Sequence, residues 1–411
     1  MKYFLFKHLI PLSLAMGIAI VLLNTGFRDI ALREDKHNLN THEVTGWPVR
    51  LFPSLVQNPS DYELFTKHWL QADPIVIFGS SELSYYNYKS IPYHFFSERG
   101  IPCAGIGSAG NQCMNIMGQL MFLKPYVRNM RVVIMLSPGW FEEYSEGTAL
   151  ENFLYSQNDH TLHLMNGMND SESMRYIDAY VSENINAISH PSSVLSMMAY
   201  RHRIHEVPLG EVVYSPLFHY HERFTAYKAD RMQLLWNSGR SNWSYSNTTA
   251  PDVPVIDYQP LEFDWDSAIS SERKKFLDIS SGNDRSVNNE YYEQWLKGKP
   301  LHHLKIRPIT EQREFADMKM LLQFLKECGC KPLFVMQPFN PYCMQNLNEY
   351  DQTEREVAQL VTSNGFEYFS LYTSDKKSYQ PGTLTDIHHL GEAGWYMINR
   401  KINTYFFEDK K

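Results

Sequence analysis

The chain has 411 residues, a formal net charge of -8 and 43% hydrophobic side chains, enough apolar content for a large buried core and too much for a disordered chain. Lys and Arg are scattered rather than gathered into a stripe, so the electrostatic footprint of a nucleic-acid binder is missing and nucleic acid is excluded as a partner. The five cysteines (Cys103, Cys113, Cys328, Cys330, Cys343) are odd in number and irregularly spaced, which excludes a disulfide framework or zinc site and leaves room for one incidental disulfide at most.

In chain order, residues 9–23 (LIPLSLAMGIAIVLL) are apolar apart from one Ser and one Pro. With Tyr3 to Phe6 ahead of them they approach the roughly 20 residues that span a bilayer. Lys2 and Lys7 flank the run on its amino side, which predicts a cytoplasmic N-terminus and an exported remainder. A cleaved signal peptide is the competing reading, opposed by Asn24-Thr25-Gly26, which is a poor cleavage site; a buried soluble helix is the third. The expectation is a single transmembrane helix anchoring residues 1–27, with residues 28–411 forming one extracytoplasmic domain at the lipid bilayer.

After a polar stretch to about Ser60 the pattern becomes α/β. Pro74 to Phe78 (PIVIF) ends in Gly79, Arg131 to Leu136 (RVVIML) is closed by Ser137-Pro138-Gly139, and Pro332 to Met336 (PLFVM) by Gln337-Pro338. Each reads as a buried parallel strand followed by a turn, and Met318 to Glu327 has helical spacing just before the third. Alternating strands and helices predict a parallel sheet with helices on both faces, with ligands beyond the carboxyl ends of its strands. The aromatic-rich stretch at about 142–308, clearest as helix from Tyr220 to Leu235, is expected to be a helical insertion capping one side. Aromatics are 14% of the chain and cluster with polar residues at Ser84-Tyr85-Tyr86-Asn87-Tyr88; such faces suit sugars, polyols or an interface, but also ordinary core packing.

Two short motifs carry chemistry. Gly79-Ser80-Ser81-Glu82 follows the first strand, and a helix starting there would aim its free N–H groups at a Ser81 oxyanion; plain capping by the serine is the alternative. A serine hydroxyl needs a base to take its proton, and histidine has a suitable pKa, with a third group to fix its tautomer. Asp386-Ile387-His388-His389 supplies both, with His389 as base and Asp386 as its orienting carboxylate. An exposed loop or a metal site is the alternative there, and nothing else in the sequence completes metal spacing. Gly391, Gly394 and Trp395 mark a turn into a final helix.

The order of these motifs resembles that of the SGNH hydrolases. Gly79-Ser80-Ser81 is similar to their first block with Ser80 in place of the usual Asp, and Asp386 and His389 match the last. Gly107-Ser108-Ala109-Gly110-Asn111 stands where the second block belongs, which implies Gly110 as a backbone donor to the oxyanion. Ser137-Pro138-Gly139-Trp140 stands where the third block normally supplies an Asn. Gly139 is kept as a candidate on position alone, so the hole would rest on N–H groups of Ser81 and Gly110 or on another residue.

More narrowly, the chain resembles the DltD family of D-alanyl transfer proteins. The resemblance covers Phe78 to Leu83, Leu136 to Phe141, Phe263 to Asp266, Asn288 to Tyr292, Pro332 to Asn340 and Ile387 to Trp395. It implies an SGNH-hydrolase-like, flavodoxin-like fold and a seryl ester of D-alanine at Ser81, passed to a hydroxyl of lipoteichoic acid or a similar polyol polymer. It also implies a membrane-bound O-acyltransferase and a D-alanyl carrier system as partners, and no cofactor. Hydrolysis of D-alanyl esters and a non-catalytic assembly role are the alternatives.

Overall fold

The computed structural model describes residues 14–15, 17–18, 49–52, 54–55, 59–84, 86–142, 171–183 and 255–408. Six strands, β1 Arg50–Phe52, β2 Ile75–Gly79, β3 Cys103–Gly107, β4 Arg131–Leu136, β5 Leu333–Met336 and β6 Glu367–Ser370, form one parallel sheet in the order β1-β3-β2-β4-β5-β6. Parallel strands covered on both faces read as unbroken apolar runs, and every residue of β2, β4 and β5 is buried.

Among the described residues, six helices of ten or more residues cover the sheet: α1 Cys113–Phe122, α2 Glu172–Glu183, α3 Trp265–Ser280, α4 Arg313–Glu327, α5 Asp351–Ser363 and α6 Glu392–Asn403. Strand side chains alternate between two cores. Val76, Phe78, Ile134 and Phe334 pack with α1, α2, α4 and α5, whereas Ile75, Ile77, Val133 and Val335 pack with α3 and α6 through Trp265, Ile269, Trp395 and Ile398. Each fully buried large apolar side chain stabilises the fold by roughly 1.5–3 kcal/mol.

The connection pattern positions the site. From β2 the chain moves to β3 on one side, then returns across to β4, β5 and β6 on the other, so β2 lies at the switch point where an open α/β sheet holds its ligands. From β2 onward the order is that of a flavodoxin-like sheet, consistent with an SGNH-like architecture.

All three strands read from the sequence are present, and the helix expected over 318–327 extends back to Arg313. One expectation needs correcting. The described helices of the 142–308 stretch do not share one side of the sheet: α2 packs through Met174 and Ile177 in one core, and α3 through Trp265 and Ile269 in the other. The helix expected over 220–235 and nearly all of the apolar run at 9–23 lie outside the described residues. Among the described residues no helix is long and apolar enough to cross a membrane. All five cysteines are free.

Candidate active site

The carboxyl ends of β2 and β3 meet through two glycines in register, Gly79 and Gly107. A Cβ on Gly107 would lie 2.0 Å from the Gly79 carbonyl oxygen, and one on Gly79 would lie 2.4 Å from Glu82 Oε1. The pair can approach this closely only without side chains, and the chain then turns straight up over the sheet edge.

The turn is not the helix start expected there. Ser81–Leu83 form one turn of 3-10 helix, with Leu83 N–H donating to Ser80 O at 3.2 Å and Ser84 N–H to Ser81 O at 3.0 Å. Ser84, at φ -125°, has already left helical geometry. The Glu82 carboxylate accepts the Ser80 N–H at 2.6 Å and closes the turn around the serine. No helix macrodipole therefore points at Ser81, which instead keeps an N–H that donates to nothing among the described residues.

The Asp386 loop arrives from the other end of the chain, between β6 and α6. It is a pinned corner: Leu384 bridges Leu390, Thr385 N–H donates to His389 O at 2.9 Å, and Gly391 N–H to Thr383 O at 2.9 Å. Inside it, Asp386 Oδ1 accepts the backbone N–H of His388 at 2.9 Å and of His389 at 2.7 Å. Asp386 Oδ2 lies 2.8 Å from His389 Nδ1 and accepts the Tyr86 hydroxyl at 3.0 Å. A carboxylate can only accept, so Nδ1 carries the proton and Nε2 is left with its lone pair. That lone pair faces Ser81 Oγ at 3.3 Å, across 308 residues of chain.

The electrostatics follow from these contacts. Asp386 is 1% exposed, and burial alone would raise its carboxyl. The hydrogen bond from the His389 ring, the attraction of that ring whenever it carries charge, and the two backbone N–H groups outweigh burial and hold it below the ordinary carboxylate range. Glu82 goes the other way: burial pushes its carboxyl up, and the Ser80 N–H, its own N–H, Gln337 and the charge of His389 offset only part of that.

Of the sequence candidates, Ser81, His389 and Asp386 come together. Gly110, with φ +78°, gives its N–H to Ser80 Oγ at 3.0 Å, so to meet an oxyanion it would exchange that hydroxyl for the substrate oxygen. Its turn is held from below by Asn111 Nδ2 on Gly79 O at 2.7 Å, with Gln119 backing Asn111 at 3.3 Å. Gly139 sits in the turn that closes β4, where its carbonyl accepts Glu142 N–H at 3.4 Å; it forms no hydrogen bond with the other four candidates among the described residues. Among those residues no group of three or more His, Cys, Asp or Glu could hold a metal ion.

Three contributors were not legible as such in the sequence. Tyr86 holds Asp386 and sets its ring edge-on to His389 at 5.9 Å. Tyr88 stacks on Tyr86 at 5.2 Å and donates to Thr385 Oγ1 at 3.2 Å. Asn288 donates its N–H to Thr385 O at 3.1 Å, so the Asn288 segment buttresses the loop from behind. The tyrosine cluster one turn past Ser81 was the available signal, and its use as a brace on the histidine loop depends on a contact 300 residues away. A hydroxyl facing an oriented imidazole, backed by an ionised carboxylate, is an arrangement able to move a proton off that hydroxyl and to make it a nucleophile.

Comparison with known proteins gives a consistent picture. A family model described as "DltD protein" matches residues 54–407. The chain is similar to Protein DltD of Bacillus subtilis (strain 168), 21% identical over 371 residues that cover 85% of this chain and 87% of that protein. It is also similar to Protein DltD of Lacticaseibacillus rhamnosus, 19% identical over 309 residues covering 73% of this chain and 69% of the relative.

Proposed function

The chain belongs to the DltD family, and from that premise we propose that it is a membrane-anchored, extracytoplasmic serine acyltransferase. It moves D-alanine onto lipoteichoic acid or a related envelope polymer. The single observation that carries this reading is the 3.3 Å approach of His389 Nε2 to Ser81 Oγ, with Asp386 2.8 Å from Nδ1.

In the first half, Ser81 Oγ attacks the carbonyl carbon of an activated D-alanyl group while His389 takes the hydroxyl proton. Collapse of the tetrahedral intermediate breaks the bond to the donor's leaving group, which receives that proton from His389, and leaves a seryl ester. In the second half, a polyol hydroxyl gives its proton to His389 and attacks the ester, and Ser81 Oγ recovers the proton as it leaves. The oxyanion of each step is met by the Ser81 N–H and by Gly110 once released from Ser80, with Gly139 on the neighbouring strand end as a third position.

The apolar run at 9–23 anchors the chain as residues 1–27, with the N-terminus cytoplasmic and residues 28–411 outside, the 142–308 stretch being its helical insertion. Leu14, Ala15, Gly17 and Ile18 are helical and exposed, in keeping with a helix whose surroundings are lipid. A membrane-bound O-acyltransferase fed by a D-alanyl carrier system is the partner that brings the acyl group across.

Ser81→Ala expressed in cells tests the reading. A catalyst loses D-alanyl ester from the polymer, whereas an assembly factor keeps it at the wild-type level. Measuring ester release against transfer to fresh acceptor then separates a transferase from a hydrolase.

A further inference from the structure

Two of the runs that carry the family resemblance, Pro332 to Asn340 and Asn288 to Tyr292, have no part in acyl transfer as written, and one side chain ties them together. Asn340 follows the carboxyl end of β5 after Gln337-Pro338-Phe339 and is 0% exposed. Its Nδ2 donates to two consecutive carbonyls, Arg285 O at 3.1 Å and Ser286 O at 3.1 Å, while its Oδ1 accepts the Tyr342 N–H at 2.9 Å. Between those carbonyls the backbone turns the unfavourable way: Ser286 has φ +51°, the left-handed region that a residue with a Cβ avoids. Asn283 braces the turn from within, accepting the Arg285 N–H at 3.0 Å and donating to Val287 O at 2.8 Å. Cys343 Sγ adds a weak bond to Arg285 O at 3.6 Å.

What this turn delivers is the N–H that follows it. Asn288 N–H donates to Thr385 O at 3.1 Å, Thr385 N–H donates to His389 O at 2.9 Å, and the residue after Thr385 is Asp386. A continuous path of hydrogen bonds and two short stretches of backbone therefore runs from Asn340 to the corner that carries the imidazole. A residue that only closed its own loop would need no more than an acceptor for the Tyr342 N–H, and an aspartate does that as well as an asparagine. Holding two carbonyls side by side takes the NH2 group. Without it the left-handed turn loses the donor that offsets its strain.

We infer that Asn340 is a positioning residue for acyl transfer: through the strained turn at Ser286 it sets where Thr385, and with it the Asp386 and His389 pair, stands over Ser81. The inference rests on the acyl-transfer reading. His389 Nε2 meets Ser81 Oγ at 3.3 Å, and a displacement of about 1 Å in a reacting group costs on the order of 100-fold in rate.

The experiment uses the full chain in detergent, well below its melting temperature. It reads the rate of Ser81 labelling by a fluorophosphonate probe and the NMR resonance of the His389 Nδ1 proton in protein carrying nitrogen-15 histidine. Asn340→Asp keeps the acceptor for Tyr342 and turns an oxygen toward both carbonyls; labelling about ten- to a hundredfold slower is expected, with the His389 resonance shifted or broadened. Asn346→Asp is the matched control. Asn346 is 7% exposed and its Nδ2 donates to Leu304 O at 3.1 Å, off the path to Thr385, so its loss should lower the melting temperature and leave labelling within about twofold of wild type. Ser286→Gly and Ser286→Val reach the same turn from another side chain, and they decide the matter if Asn340→Asp does not fold. Glycine takes φ +51° freely and should label like wild type, whereas valine resists it and should label about three- to tenfold slower.

A folded Asn340→Asp protein that labels within about threefold of wild type overturns the inference, as does slow labelling with an unmoved His389 resonance. So does an Asn346→Asp protein slowed as much as Asn340→Asp, or a Ser286→Val protein that labels as fast as Ser286→Gly. Wild-type protein that is not labelled at Ser81 removes the acyl-transfer reading itself, whereas labelled wild type beside an unaffected Asn340→Asp removes the role of Asn340 alone.

Discussion

Asp386→Asn changes one carboxylate oxygen into an amide nitrogen and leaves the volume of the side chain alone. Its Oδ1 can keep both backbone donors, the N–H groups of His388 and His389 at 2.9 and 2.7 Å. The other atom becomes an NH2 facing His389 Nδ1 at 2.8 Å and the Tyr86 hydroxyl at 3.0 Å, two groups that donated to it before. Flipping the amide only moves the conflict to the two backbone N–H groups. The orientation that satisfies most partners makes Nδ1 an acceptor, which shifts the ring proton to Nε2 and points it at Ser81 Oγ. A base in that tautomer cannot take the serine proton.

In the serine-protease triad the same exchange lowers turnover about 10⁴-fold, which at 1.36 kcal/mol per tenfold is about 5.5 kcal/mol of transition-state stabilisation. Since Asp386 Oδ2 is the acceptor that faces Nδ1 at 2.8 Å, a loss of about 10³- to 10⁴-fold is expected in Ser81 acylation. The fold should be weakened by only about 1–3 kcal/mol, the range for losing hydrogen bonds to a charged group. Stopped-flow or probe-labelling rates paired with thermal unfolding separate the two effects. A folded Asp386→Asn protein whose acylation rate stays within tenfold of wild type would refute the tautomer argument.

Two further changes probe the frame around the site. Gly107→Ala puts a methyl group 2.0 Å from the Gly79 carbonyl, so the ends of β2 and β3 must part; a destabilisation of about 1–3 kcal/mol is expected in denaturant unfolding, and an unchanged midpoint would show that the strands do not close this tightly. Glu314→Gln tests the buried acids of α4, where burial first and then the Asp317 charge push the Glu314 carboxyl up. The folded state keeps a proton that the unfolded chain releases, so stability is fullest below the ordinary carboxylate range and falls as pH rises toward the folded value, by up to about 1.4 kcal/mol per pH unit. Glutamine keeps the acceptor for the Cys113 N–H, now at 2.9 Å, and removes that penalty. The variant should therefore gain melting temperature over wild type at pH 8 and little at pH 5; equal gains at both would sink the assignment.

How much of the fold could be read in advance depended on where each strand finds its partners. β2, β4 and β5 are continuous apolar runs because both faces are covered, and a run of that kind is visible in the sequence itself. β3 is Cys-Ala-Gly-Ile-Gly, with almost no β-branched content. Its Gly105 exists because Tyr93 and Leu51 fill the place of a side chain, 2.8 and 2.9 Å from where a Cβ would sit. That reason is tertiary and leaves no periodic trace. β6 lies at the sheet edge with every residue half-buried, and β1 is three residues long, so neither offers a pattern. Amphipathic spacing likewise announces that α2 and α3 dock on something, but not on which face, and they take opposite ones.

The candidate site divides along the same line. Asp386 and His389 were legible because their relation is local: three residues apart in a tight corner, the carboxylate reaches both the ring and the backbone N–H groups of its own loop. Ser81 was legible as a serine after a strand and a glycine. Their meeting follows from the sheet, since β2 lies at the switch point and the corner before α6 lands over the same edge. Tyr86 acts only through that meeting, on the far oxygen of Asp386. The helix dipole expected at Ser81 fails for a related physical reason. Glu82 takes the Ser80 N–H that a helix start would leave free, and the turn ends within three residues. On the acyl-transfer reading, negative charge developing at Ser81 is met by single N–H groups, and one candidate, Gly110, already donates to Ser80 Oγ at 3.0 Å. On that reading substrate binding displaces the bond, so the identity of residue 80 should govern how readily the oxyanion is met.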